Sequence, residues 1–362
     1  MRLVSPLLKH VVYPGLSKTG YFRHVARGPA VLTYHGVLPP EYKIVDPVLD
    51  GNLVSADSFR QQLRLIKEEY CVISPKEFRI WCESEHELPP RSVLLTCDDG
   101  LRNALFDMVP ILQEFELECL FFVTGASLSP TATMLWYEEL YLMFLAAPES
   151  FTLELAEIGR QTAASRQEKR SLWWQLVRKL SQCDQNSRRQ SLARIKMQFK
   201  LADGWDAAYR EDPVFSRRFS MLNLSELHEL ANAGMCIGAH TVSHPVLSQS
   251  THDMVWCEIS ENKRDLEQAI GREAWALAYP FGDLSSVTQR ELQTAERAGF
   301  ECAFLNVDGA FGSRTSKFAL PRSHITGEMT LPEFAARLSG IHRSLQKLFR
   351  TDGATAIAES SA

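Results

Sequence analysis

The sequence predicts an α/β protein, a distorted (β/α) barrel of about seven parallel strands carrying a helical insertion. Three observations lead there. Seven apolar runs recur along the chain, most of them continuous and not alternating, as parallel strands buried on both faces are. Helix-like segments separate many of them, as βα units require. Between residues 126 and 219 the alternation lapses, no convincing strand occurs, and the segment reads as helices inserted between two barrel strands. A length of 362 residues suits a barrel with an insertion or two ordinary domains. At 45% hydrophobic and 23% charged residues the composition is globular, which excludes a disordered or fibrous chain.

In chain order, an N-terminal extension occupies 1–28. Its apolar run, MRLVSPLLKHVVYPG, is cut by Pro6, Lys9 and His10, so no signal peptide is expected. The first part of the barrel, 29–125, has strands in AVLTYHGV ending at Val37, SVLLTCDD ending at Asp99 and LECLFFVTG ending at Gly125. Ser55 caps a helix on which Phe59, Leu63, Ile66 and Tyr70 share a face, and another helix is expected from Leu101 to Phe115. The insertion, 126–219, should hold helices around Trp136 to Ala147, Ser165 to Cys183 and Asn186 to Lys200. The second part of the barrel, 220–350, resumes with strands in MCIGAHT, AWALAYPFG, ECAFLNVDG and LPRSHIT. Its helices are expected over Leu224 to Ala233, His252 to Ile270, Val287 to Ala298 and Leu331 to Phe349. The small, polar tail 351–362 is expected to fray.

A net charge of -5 argues against a dedicated nucleic-acid binder. The longest apolar stretch beyond the N-terminus, LYLMFLAAP from Leu140, is about half the roughly 20 residues that span a bilayer, so a cytoplasmic or membrane-peripheral protein is expected. Eight cysteines, spaced singly with no CxxC, read as small buried hydrophobes in a reducing compartment.

Two features at strand ends carry chemistry. In Thr96-Cys97-Asp98-Asp99-Gly100, adjacent carboxylates end an apolar strand, which is costly unless a cation compensates them. A divalent ion can hold one carboxylate while the other stays free for proton transfer; a plain Asp-Gly turn is the alternative. In Gly238-Ala239-His240-Thr241-Val242-Ser243-His244-Pro245, the two histidines meet if the segment makes a helical turn, and Pro245 limits it to about one. Paired imidazoles suit Zn, with Co or Ni as alternatives. One Asp and two His leave coordination positions open, as a catalytic metal site does and a closed structural one does not.

These residues resemble the polysaccharide deacetylases, carbohydrate esterase family 4. TCDDG is similar to that family's TFDDG motif, GAHTVSHP to its His-bearing metal motif, AYPFG (Ala278 to Gly282) to its third motif, and TYHGV near Thr33 to its first-strand signature. The matches run in family order over about residues 29–125 and 220–326 and leave the insertion uncovered. The resemblance implies that Asp98 is the general base and that Asp99, His240 and His244 bind the metal. It also implies that the Phe281 N–H helps to hold the oxyanion and that Tyr279 and Phe281 line the sugar site, although Pro-Phe-Gly could equally be only a chain reversal. Two departures stand out. Ala278 replaces an Arg that contacts the catalytic Asp in many members, so Asp98 is expected to lack a cationic partner. The final Leu-x-His pattern reads Leu320-Pro321-Arg322-Ser323-His324-Ile325, which leaves His324 as an out-of-register candidate for the general acid and Arg322 as an anchor for substrate or Asp98. His35, ending the first strand, belongs to the catalytic face of a barrel, with a structural role as its alternative.

From Arg160 to Lys200, eleven Lys/Arg stand against two acids, Glu168 and Asp184. Leu172, Trp173, Leu176, Val177 and Leu180 form an apolar stripe that should pack on the barrel beneath a solvated basic face. Residues 160–200 also suit contact with anionic lipid headgroups or an acidic glycan. The expectation is a metal-dependent hydrolase that removes acetyl groups from an N-acetylated carbohydrate. An O-acetyl esterase on the same site and a catalytically silent sugar-binding or scaffold protein are the alternatives.

Overall fold

The computed structural model describes residues 4–349 except 26, 27, 85, 86, 131, 132 and 313. The expected frayed tail at 351–362 lies outside the described residues. The main strands are β1 (Ala30–Tyr34), β2 (Cys71–Ile73), β3 (Ser92–Cys97), β4 (Leu120–Val123), β5 (Phe151–Leu155), β6 (Gly159–Ala163), β7 (Cys236–Ala239), β8 (Ala276–Ala278), β9 (Cys302–Phe304) and β10 (Ser323–His324). Seven of them, in the order β10-β1-β3-β4-β7-β8-β9, are parallel neighbours in a curled sheet, the distorted (β/α) barrel that the apolar runs predicted. The sheet's ends meet where Leu305 N–H donates to Leu320 O (2.8 Å) and Leu320 N–H to Ala303 O (3.0 Å), just ahead of β10. The short strand β2 also pairs with β3, through Ser92–Leu94, while β4 pairs with it through Thr96 and Cys97.

Each barrel strand is buried on both faces. Leu32, Tyr34, Leu95, Cys97, Phe121, Val123, Ile237 and Ala239 join one core with helices α1 (Ala56–Glu69), α6 (Leu224–Asn232) and α7 (His252–Ile270). The alternate residues Val31, Leu94, Leu120, Phe122, Ala278 and Phe304 fill a second core with Phe78 of α2 (Pro75–Glu83). Helices α8 (Gln289–Arg297) and α9 (Leu331–Leu338) complete the outer layer, and the helix expected to run to Phe349 is broken at Gly340, whose φ is +77°.

The insertion differs from expectation in two ways. It contains a β-hairpin, β5 with β6, beside helices α3 (Trp136–Ala146), α4 (Arg166–Leu180) and α5 (Gln185–Gln198). The stripe Leu172, Leu176, Val177 and Leu180 does not lie on the barrel: it packs with Phe144, Phe151, Ile195 and Phe199 in a core of the insertion's own. A hairpin and three helices supply most of this apolar surface, with Val246 of the barrel joining it, so the basic residues flank a core that also meets the barrel. The cysteines also divide: Cys82, Cys97, Cys119 and Cys302 are buried, whereas Cys71 and Cys257 are exposed. No helix among the described residues is long and apolar enough to cross a membrane.

Candidate active site

The site lies at the C-terminal ends of the barrel strands, where βα-barrel chemistry resides. Asp98 and Asp99 follow β3. The Asp98 N–H still bonds to Tyr34 O of β1 (2.9 Å), and the chain then turns through left-handed Asp99 (φ +76°) and Gly100 (φ +82°). A Cβ on Gly100 would sit 3.0 Å from Val123 Cγ1, so only glycine lets the turn close against β4.

His240 and His244 follow β7, but the segment between them is a bend and not the helical turn expected. Thr241 (φ +66°) and His244 (φ +53°) are left-handed, which an α-helical turn forbids, and these two reversals bring the rings to a centroid distance of 4.9 Å. The Nε2 atoms of His240 and His244 lie 3.5 and 3.3 Å from Asp99 Oδ1. All three residues are buried, and Asp99 Oδ1 has no hydrogen-bond partner. His240 Nδ1 is 2.7 Å from Ala278 O; a carbonyl can only accept, so Nδ1 carries the proton and the Nε2 lone pair faces Asp99. A buried, unpartnered carboxylate oxygen between two imidazole nitrogens is a donor set that fits a divalent ion, and these are the residues able to hold one.

The expectation that Asp98 lacks a cation is overturned. Arg322, from the residue before β10, is fully buried and grips both Asp98 oxygens, with Nη1–Oδ1 2.7 Å and Nη2–Oδ2 2.6 Å. Its other donors reach Thr96 Oγ1 (3.1 Å) and Leu305 O (3.1 Å). β10 lies beside β1, and β1 beside β3, so a guanidinium just ahead of the last strand reaches the carboxylate that follows β3. Burial, the largest single effect, would push the Asp98 carboxyl up; the charge and hydrogen bonds of Arg322, with the nearby His240 and His35, together outweigh it and hold the group below its ordinary value.

A cavity of about 260 Å³ joins Asp98, Asp99, His240 and His244 to His35 and His324. The rings of His35 and His324 are 4.9 Å apart, and His35 Nδ1 and His324 Nε2 are buried without partners. Burial, then repulsion from His35, pushes the His324 imidazole down to about 3, so it is neutral at physiological pH. Phe281, another left-handed residue (φ +61°), meets the His244 ring edge to face, with centroids 4.9 Å apart. Tyr279 reaches the same cavity but is almost wholly buried, and its hydroxyl donates to Phe318 O (3.1 Å), which gives it a structural anchor as well as a lining role.

Sequence reasoning missed the contribution of the insertion. Tyr137 and Trp174 come from α3 and α4 to line the cavity, with their rings 5.6 and 5.5 Å from Phe281. Adjacent helical residues point about 100° apart, so the Trp173-Trp174 pair was itself a sign that one indole faces away from the insertion core.

The chain matches the polysaccharide deacetylase family model over residues 195–303. It is 23% identical over 120 residues to the Bacillus subtilis (strain 168) protein YxkH, a match that spans 33% of this chain and 42% of that protein. Among solved structures it resembles the Streptococcus pyogenes deacetylase PplD in complex with acetate, at 19% identity and a TM-score of 0.53 over 86% of this chain and 98% of that one. It also resembles IcaB from Ammonifex degensii, at 17% identity and a TM-score of 0.52 over 86% and 97%. At these identities the two structures speak for the fold.

Proposed function

We propose that the protein is a metal-dependent hydrolase that removes acetyl groups from an N-acetylated carbohydrate. The reading rests on one observation: buried, unpartnered Asp99 Oδ1 converges on the two histidine Nε2 atoms beside an Arg-held Asp98, all on one cavity. Asp99, His240 and His244 would hold the ion, Zn by the N,N,O donor set, with Co or Ni as alternatives. When bound, it supplies Lewis acidity toward the acetyl carbonyl and makes water more acidic.

The chain's own residues do the rest. Asp98 takes the proton of the attacking water; Arg322 occupies one lone pair on each carboxylate oxygen and leaves another on each for that proton. The Phe281 N–H donates to the oxyanion. The proton then has to reach the leaving amine; His324 lines the same cavity as Asp98 and is the candidate carrier, which requires its neutral imidazole to take up that proton in passing. Tyr137, Trp174 and Phe281 give the cavity aromatic walls suited to the apolar face of a pyranose ring.

The test is acetate release from N-acetylated and O-acetylated oligosaccharides by the full chain, chelator-treated and then reloaded with Zn. We expect release from the N-acetylated substrate that needs reloading, and a fall of about 10²–10⁴-fold in Asp98→Asn. Turnover by the metal-free protein, or at the wild-type rate by Asp98→Asn, would overturn the reading. Preference for the O-acetylated substrate would make it an esterase.

A further inference from the structure

We infer that the insertion is part of the metal centre: Trp136 and Arg188 are positioning residues that hold the His240–His244 loop in its ligating form. The inference rests on the metal reading above.

The loop needs holding. Thr241 and His244 both adopt left-handed backbone, and Thr241 is β-branched, for which this region is a true outlier. Such residues persist only where their surroundings over-determine them. Here much of the restraint comes from a different part of the chain. Trp136, at the start of α3, donates its indole N–H to Ser243 O (3.0 Å) and His244 O (3.3 Å). Arg188, on α5, donates through Nη1 to Ser243 Oγ (2.9 Å) and Ser243 O (3.3 Å), with its guanidinium 4.7 Å from the centre of the Trp136 ring. From the barrel side Glu258 of α7 accepts the Ser243 N–H (2.8 Å) and hydroxyl (2.5 Å). Ser243, between the two histidines, is therefore pinned from both sides.

Arg188 is an expensive way to join two helices. It is 2% exposed, and its remaining contacts end on main-chain oxygens of Leu180 (3.0 Å) and Cys183 (3.1 Å). A buried guanidinium that meets neutral oxygens, with the Glu258 carboxylate one residue beyond, costs free energy that an apolar side chain would not. A role in setting the ligand loop accounts for that cost, because groups that orient metal ligands are worth about 10–100-fold in metal affinity.

The experiment compares the full-length protein with Trp136→Phe, Arg188→Met, Arg188→Lys and Leu176→Ala. Leu176 is buried in the insertion core and serves as a control for general destabilisation. Zn affinity is read by competition with a chromogenic chelator, the ligand field by the visible spectrum of Co-loaded protein, and stability by urea unfolding. We expect Trp136→Phe and Arg188→Met to weaken Zn binding about 10–100-fold and alter the Co spectrum, Arg188→Lys to fall between, and Leu176→Ala to lose stability with Zn affinity nearly unchanged. If Arg188→Met does not fold, Trp136→Phe decides, since it keeps an aromatic ring and removes the indole N–H. Wild-type Zn affinity in both Trp136→Phe and Arg188→Met, or an equal loss in Leu176→Ala, would overturn the inference. A wild-type protein that binds neither ion would overturn the metal reading, and this inference with it.

Discussion

Replacing Arg218 with Met should strand two carboxylates in the interior. The side chain is fully buried, and its guanidinium meets Asp50 Oδ1 (2.7 Å), Glu138 Oε1 and Oε2 (2.9 and 3.1 Å) and Leu49 O (2.7 Å). It thereby ties the insertion to the loop that follows β1. Asp50 would keep partial compensation from the Tyr42 hydroxyl (2.9 Å) and the Val45 N–H (2.8 Å). Glu138, whose side chain is 8% exposed, would lose both of its bonds to Arg218. Removing one partner of a buried pair costs about 3–5 kcal/mol, and most of that should be charged to Glu138. Burial, the larger effect, already holds the Glu138 carboxyl above its ordinary value despite Arg218. Without the guanidinium it should rise further. For an acid whose folded pKa is raised, the penalty is absent below the unfolded value of about 4.3 and grows as pH climbs toward the folded one. Urea unfolding should therefore show a larger deficit at pH 8 than at pH 5, and Glu138→Gln added to Arg218→Met should recover most of it. A deficit under about 1 kcal/mol that does not change with pH would refute this account of the network.

Three other outcomes are expected. Asp99→Asn should lose Zn in a metal-content assay, whereas Asp98→Asn should keep it, because a neutral amide oxygen is a poorer ligand and only Asp99 faces both imidazoles. Trp174→Ala should raise KM several-fold with kcat little changed, matching an aromatic contact of about 0.5–1.5 kcal/mol; a fall in kcat alone would assign the indole to the chemistry instead. Exposed Arg170, Arg178, Arg189 and Arg194 should support binding to vesicles containing acidic lipid, weakening as salt shortens the Debye length below about 10 Å, and equal binding to neutral vesicles would remove the electrostatic reading.

The barrel strands were legible because each is a continuous apolar run, and several end in the residues that matter: Cys97 runs into Asp98 and Asp99, and Ala239 into His240. β2 is only three residues long with Cys71 exposed, too little for a burial pattern to register. In the hairpin, Phe151, Leu153 and Leu155 do alternate inward, but the partner strand Gly-Arg-Gln-Thr-Ala has almost nothing apolar to reveal it. The Asp-His-His set could be picked out from the two motifs, whereas its backbone could not, since left-handed Thr241 runs against the local preference of a β-branched residue. Arg322 was visible as a candidate anchor; its grip on Asp98 depends on β10 closing against β1, a pairing between the two ends of the barrel that no local pattern encodes. The same holds for Tyr137 and Trp174, which reach the cavity only because the insertion folds over its mouth.

The position of β10 in the sheet sets the order in which the proposed site is assembled. The last residue of the Asp-His-His set is His244, yet the cation that poises Asp98 arrives only at Arg322, with the strand that joins the two ends of the sheet. On a ribosome, a chain that has emerged only a short way past α7 has every candidate ligand and the helices that brace them, but no partner for its base. On the proposed function, a chain shortened before Arg322 would keep the Asp-His-His set but lose the cation at Asp98, so the closing strand would be the step that completes the site.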